Sequence, residues 1–201
     1  MPEPTLDDAL QNSQDPKVVR DAACALARSN DPAQQRRLLA LLKTPAFLAR
    51  MDSEEDYRGP SGALGIGRVL EDLAKNSAGH DSLTALAADI PFTKEPARAD
   101  LLILALAHVG PATPAAVKFW DAHWQPDDGF TNLTVDAVTL NGTQPALDLF
   151  AARLADSRFS EDDRAGWMRA SILIHRNDLL LLKMCDAYLR GNATPALKLA
   201  L

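Results

Sequence analysis

The chain has 201 residues, 47% of them apolar, and 27 acidic side chains against 21 basic ones for a net charge of −6. That length holds one domain with a real core, or a short repeat array whose cores run together; no stretch reaches the roughly 18 uninterrupted apolar residues that a membrane helix requires. The negative balance works against a general nucleic-acid binder, because such binding draws most of its affinity from Lys and Arg neutralising phosphates.

The chain opens on Met1-Pro2-Glu3-Pro4, with Asp7 and Asp8 following. A secretion signal is basic and then apolar, so this start predicts none, and the expected location is the cytoplasm. From Pro16 onward one pattern recurs: an apolar helix, a short turn of Gly, Asn, Asp or Ser, and a second helix of similar length. The first copy runs through Val18, Val19, Ala22, Ala23 and Leu26, turns at Ser29-Asn30-Asp31-Pro32, and returns through Leu38, Leu39, Leu41 and Leu42. Spacings of three and four are the helical period.

The stretch from Met51 to Gly62 breaks this rhythm with four carboxylates beside Tyr57 and Arg58, and lengthens the first turn-to-turn spacing to about 48 residues. An insertion in a repeat array becomes a loop, either functional or simply irregular; as a contact for a basic partner or a cation it would use Asp56, Tyr57 and Arg58. Gly62-Ala63-Leu64-Gly65-Ile66-Gly67 follows no nucleotide fingerprint, lacks a preceding strand and has no Lys-Ser/Thr pair after it, so its glycines read as close packing at a helix start.

The second copy climbs through Leu64, Ile66, Val69, Leu70 and Leu73, turns near Ser77-Ala78-Gly79, and comes back through Leu83, Leu86 and Ile90. The third uses Leu101, Leu102, Leu104 and Ala105, then Gly110-Pro111, then Val117, Phe119, Trp120 and Trp124. The fourth uses Leu133, Val135, Val138 and Leu140, turns at Asn141-Gly142-Thr143, and continues through Leu147, Phe150 and Leu154. The fifth uses Trp167, Met168, Ile172 and Ile174, turns at Asn177-Asp178, and continues through Leu181, Met184, Cys185, Tyr188 and Leu189. The last three turns lie about 32 to 35 residues apart, inside the range of two-helix repeat units. Thr194-Pro195-Ala196-Leu197-Lys198-Leu199 starts a further helix and reads as a half-unit cap.

Strand signals are almost absent, with aromatics at 5% and no lasting period of two. Helix starts are plentiful: Ser160 with Asp163 is a capping pair, and Glu161, Asp162 and Asp163 in that first turn read as partners of the helix dipole rather than as metal ligands.

Asp15-Pro16-Lys17-Val18-Val19-Arg20-Asp21-Ala22-Ala23, followed by Ala25-Leu26-Ala27 and by Asn30-Asp31-Pro32 at the turn, resembles a HEAT-type repeat. The likeness is clear over about residues 15–44; later units keep the helix-turn-helix rhythm but lose the Asp-Pro and Arg signature. It implies an all-α fold, a right-handed α-α superhelix of about five helix pairs plus a C-terminal half unit, forming one domain over 1–201 with the acidic loop inserted at about 51–62. It also implies a concave row of second helices that serves as a platform for another macromolecule, here with Lys118, Asp121, Arg153, Lys183 and Asp186 beside it.

Within that frame Phe119-Trp120-Asp121-Ala122-His123-Trp124 puts three aromatics and a histidine into two turns. Trp120 and Trp124, four apart, either share a buried stripe or anchor a partner, with Asp121 and His123 as exposed companions. His80, His108, His123 and His175 form no pair at metal-ligand spacing, and Cys24 and Cys185 sit inside apolar helical patterns where a thiol acts as a small hydrophobe. The three Asn-x-Thr triplets at Asn132, Asn141 and Asn192 have no secretory route to glycosylation, and the last two read as turns.

The expected function is therefore a non-catalytic adaptor or scaffold for a protein partner, with no cofactor and no metal. The alternatives are a HEAT-like enzyme that brackets a base between Trp120 and Trp124, and a structural subunit of a larger assembly.

Overall fold

The computed structural model describes residues 5–51, 65–126, 128–129, 131–175 and 178–191. Among these the chain is all-helical with no strand. The helices divide between two units, Met1–Ala105 and Leu106–Leu201.

The first unit contains α1 (Leu6–Gln11), α2 (Pro16–Ala27), α3 (Pro32–Leu42), α4 (Pro45–Met51), α5 (Ile66–Lys75), α6 (His80–Ala87) and α7 (Ile90–Thr93), with α8 (Pro96–Leu106) reaching its end. Helix α2 begins where it does because the Asp15 carboxylate accepts from the Lys17 amide at 2.9 Å and Pro16 supplies a preset first-turn φ. Asp31 starts α3 in the same way, accepting from Ala33 at 2.8 Å ahead of Pro32. Val19, Ala22, Ala23 and Leu26 turn one face of α2 into the core, where it packs on α1, α3, α4 and α5. Helix α5 answers with Ile66, Val69, Leu70 and Leu73, all buried. The first helix of one hairpin lies on the first helix of the next, α2 on α5, and the second on the second, α3 on α6.

Two short helices lie outside the repeat pattern read from the sequence. Thr5 caps α1, its hydroxyl accepting from the Asp8 amide and donating to the Asp8 carboxylate; six residues are too few to show a period. The Arg50 guanidinium of α4 donates to the Leu10 carbonyl at 3.0 Å and to the Ser13 carbonyl at 2.7 Å, closing the end of α1. The second hairpin also ends earlier than the apolar spacing predicts. Helix α6 stops at Ala87, the Asp89 side chain accepts from the Phe92 amide, and Pro91 lies in the first turn of the new helix α7. Phe92 is buried, while Ile90, read from sequence as a continuing core position, is 78% exposed.

The second unit contains α9 (Pro114–Ala122), α10 (Thr131–Asn141), α11 (Gln144–Leu154), α12 (Glu161–Ile174) and α13 (Leu179–Gly191). Here α10 packs on α12, and α11 lies against both α9 and α13. The core is aromatic: Trp124 meets Trp167 edge to face at 5.3 Å between ring centres, Phe159 meets Trp167 at 4.8 Å, and Trp124 lies 5.8 Å from Phe150. Leu173 and Ile174 at the end of α12, and Leu179 and Leu180 at the start of α13, are exposed, as is Leu140 near the end of α10.

The same side-chain device recurs in both units. Asn76, just past α5, donates its amide to the carbonyls of Ala27 and Ser29, both at 3.0 Å, at the end of α2. Asn141, the last residue of α10, donates to the carbonyls of Ala107 at 3.2 Å and Val109 at 2.7 Å, in the turn ahead of α9. Each asparagine thus closes carbonyls that a helix end leaves open. Gly142 follows with φ +63°, a conformation a side chain resists, and a Cβ there would lie 2.8 Å from the Asp178 carboxylate.

Asn141→Ala and Asn76→Ala are each expected to lower unfolding free energy by about 1–2 kcal/mol in urea titrations, since the bonded carbonyls lose their donor. Asn132→Ala, on the exposed start of α10, is expected to stay within about 0.5 kcal/mol of the parent.

Candidate functional site

The aromatic hexad is where the sequence placed its candidate contacts, and its two indoles belong to the core: Trp120 and Trp124 are both 0% exposed. They share the buried stripe: α9, which carries Trp120, packs on α11, and Trp124, just past its end, meets Phe150 of α11 and Trp167 of α12, so neither ring offers surface to a partner or a base. The Trp124 indole N–H lies buried with no hydrogen-bond partner among the described residues. Asp121 and His123 remain at the edge, as companions of that stripe. Asp56, Tyr57 and Arg58, like the C-terminal segment from 192 on and the turn residue Asn177, lie outside the described residues. Gly65 is described, and a Cβ there would collide with the Met51 carbonyl, which accounts for that glycine by packing.

Asp121 leads into a network that ties two connections of the second unit together. Arg153, 9% exposed on α11, forms ion pairs with the Asp121 carboxylate and, at 2.9 Å, with Asp156. Expected from sequence as a residue beside a binding face, it is instead an internal tie. Arg158 donates to Asp156 at 2.6 Å and to the Gln125 side-chain oxygen at 3.0 Å, while the Gln125 amide donates back to the Asp121 carbonyl at 2.7 Å. The Thr131 hydroxyl donates to the carbonyls of Gln125 and Asp128, closing the turn into α10. Hydrogen bonds from Arg158, joined by Arg153, hold the Asp156 carboxyl well below the usual carboxylate range.

Between these tied connections lies a cleft of about 490 Å³. One wall is Gln125, Pro126 and Asp128 with Thr131 and Asn132 of α10; the other is Arg158, Phe159 and Ser160 with Asp163 and Trp167 of α12. Ser160 caps α12, accepting from the Asp163 amide at 3.1 Å and donating to its carboxylate at 2.6 Å. His123 stands behind Asp128, Nδ1 to Oδ2 3.8 Å, and against the edge of Phe119. Its burial pulls the imidazole pKa down, against the opposing pull of Asp128.

Sequence reasoning used Asp163 as a cap and Trp167 as core, and did not bring them together with Gln125, Asp128, Asn132 and Arg158. The capping pair was the only signal pointing to this end of α12. Among the described residues no group of three or more His, Cys, Asp or Glu side chains gathers at metal-binding distance. Cys24 and Cys185 are buried, and burial pushes both thiols up to about 11, the Asp72 hydrogen bond adding to the rise at Cys24.

No protein-family model, curated protein or solved structure matches the chain.

An Asp whose folded pKa is depressed stabilises the fold fully above its unfolded value, near ~3.9, and ceases to do so as pH falls through the folded one. Asp156→Asn is therefore expected to be less stable than the parent at pH 7, with the gap closing as urea midpoints are followed downward from about pH 4. Ellman's reagent at pH 8 is expected to label neither cysteine in the native protein and both after denaturation.

Proposed function

We propose that this chain is a HEAT-like helical-repeat module, a right-handed stack of helix pairs, that binds a protein partner in the cytoplasm and performs no chemistry of its own. The observation that carries this reading is the stacking within each unit, first helix on first helix (α2 on α5, α10 on α12) and second on second (α3 on α6, α9 on α11 on α13). Only such like-on-like packing leaves a row of second helices facing one way, which is the platform that repeat proteins offer. The asparagines at the ends of α5 and α10 support it, because they tie equivalent points of successive hairpins. Lys118, Lys183 and Asp186 on those second helices are exposed and suit polar recognition.

The rival in which two indoles bracket a base loses its residues, since Trp120 and Trp124 lie in the core. The reading as a subunit held inside a larger assembly has an observation of its own: Leu173, Ile174 and Leu179 are each more than 60% exposed around one turn. Apolar groups gathered at one place mark surface that an assembly covers. Among the described residues no helix is long and apolar enough to cross a membrane.

Affinity capture from the native cell is expected to enrich one protein at stoichiometric yield, with the purified chain alone remaining monomeric in light scattering. Failure to enrich any protein, together with a mass that rises with concentration, would favour the subunit reading instead.

A further inference from the structure

Asn141-Gly142 is the only place in the chain where glycine follows asparagine. Asparagine is among the chemically labile side chains, and this neighbour makes it more so. The backbone nitrogen after an asparagine attacks the side-chain Cγ: an N–C bond forms, the Cγ–Nδ2 bond breaks, and ammonia leaves. Water then opens the five-membered imide to an aspartyl or an isoaspartyl residue. Glycine leaves the attacking nitrogen unhindered because it has no Cβ. The reaction requires a side chain free to rotate and a backbone N–H free to lose its proton.

The fold withholds both. Asn141 Nδ2 donates to the Ala107 carbonyl at 3.2 Å and the Val109 carbonyl at 2.7 Å, while Oδ1 accepts from the Thr143 hydroxyl at 2.6 Å, so the side chain is held at both ends. Thr143 precedes the first residue of α11, yet its hydroxyl makes no cap to that helix; it accepts from the Ala112 amide at 3.2 Å instead. The Gly142 N–H donates to the Val138 carbonyl at 3.2 Å. The Asp178 carboxylate lies beside Gly142, 2.8 Å from where a Cβ would stand, and a negative charge there opposes removal of the amide proton.

The bonds from Asn141 and to Thr143 cross to the turn ahead of α9, so parting the two turns frees the side chain. The product cannot remake what was lost. An ionised carboxylate only accepts hydrogen bonds, so an aspartyl residue would meet the Ala107 and Val109 carbonyls acceptor to acceptor. An isoaspartyl residue also lengthens the backbone by a methylene within the turn. Carbonyls left without a donor disfavour the closed contact further.

We infer that Asn141 is a deamidation site gated by the fold: its amide hydrolyses when the α10–α11 turn parts from the turn ahead of α9, and the acidic product keeps the two from closing again. A reversible opening thereby becomes a one-way step, a clock that runs only while that contact is open. Asn76 holds the counterpart position in the first unit, but Ser77 follows it, and a side chain on the attacking residue slows the reaction there.

The test follows residue 141 of the whole chain by peptide mapping, which separates the asparaginyl, aspartyl and isoaspartyl forms, during incubation at mildly alkaline pH with and without denaturing guanidinium chloride. The denatured chain is expected to react at the rate of acetyl-Leu-Asn-Gly-Thr-Gln-amide in the same solution. The native chain is expected to react at least about tenfold more slowly, since its rate then tracks the fraction open. Thr143→Val is expected to speed the native reaction about fivefold, the effect of one hydrogen bond, and to leave the denatured rate unchanged. Asn141→Asp, the product itself, is expected to unfold at a lower urea concentration than Asn141→Ala at neutral pH. A native rate equal to the peptide's, an unmodified Asn141 in the denatured chain, a slower native reaction in Thr143→Val, or an Asn141→Asp variant that outlasts Asn141→Ala in urea would overturn the proposal. Circular dichroism identifies a variant that fails to fold: loss of Asn141→Asp alone is the expected order at its extreme, and loss of both variants shows that missing donors suffice to bar closure.

Discussion

A helix ends in carbonyls that its own backbone cannot reach, and in this chain side-chain amides of other helices supply the missing donors. At the end of α2 the carbonyls of Ala27 and Ser29 receive Gln35 from within the hairpin and Asn76 from the next one. In the second unit Asn141 does the same for Ala107 and Val109. A hydrophobic face permits many sliding positions of one helix along another, whereas a bidentate amide permits one. The bonds between turns therefore set the register in which the buried faces of α2 and α5 come together, and hold the end of α10 against the turn ahead of α9.

The cleft depends on the same economy of polar groups. A buried guanidinium is tolerable only when carboxylates and carbonyls meet it, and Arg153 satisfies that condition by joining the end of α9 to the turn after α11 through Asp121 and Asp156. Arg158 and Gln125 extend the tie outward. The result is a pair of connections held at a separation that leaves a cleft between them, over a floor set by the Phe159–Trp167–Trp124 ring cluster. Polar walls on a packed aromatic base suit recognition, because neither wall has to be ordered when a ligand arrives.

Much of the helical content was readable from residue spacing. The bounds of α2 and α3 follow from Asp15-Pro16 and Asp31-Pro32, where a carboxylate cap and a proline act within three residues of one another. The start of α12 follows from Ser160 and Asp163 for the same reason. Helices α1, α4 and α7 were not read out, since helices of four to seven residues show less than two turns of any period. The candidate site fared differently. Trp120 and Trp124 stood out as residue types favoured at interfaces, yet residue type does not say which side of a helix faces the core. Gln125, Asn132 and Arg158 had no pattern to betray them, because a polar residue in a turn looks the same whether it faces open water or a neighbour more than thirty positions away.

Helical class, the caps that open α2, α3 and α12, and the turn at Asn141-Gly142 are local matters: each depends on hydrogen bonds and sterics spanning four or five residues, and those residues are adjacent in the chain. Which helix lies on which, where Arg153 and Asn141 direct their donors, and that Asp128 comes to face Asp163 depend on contacts between segments some thirty residues apart. Such contacts form only when whole faces are buried together, and burial is non-directional, so periodicity announces that a face will be hidden without saying against what.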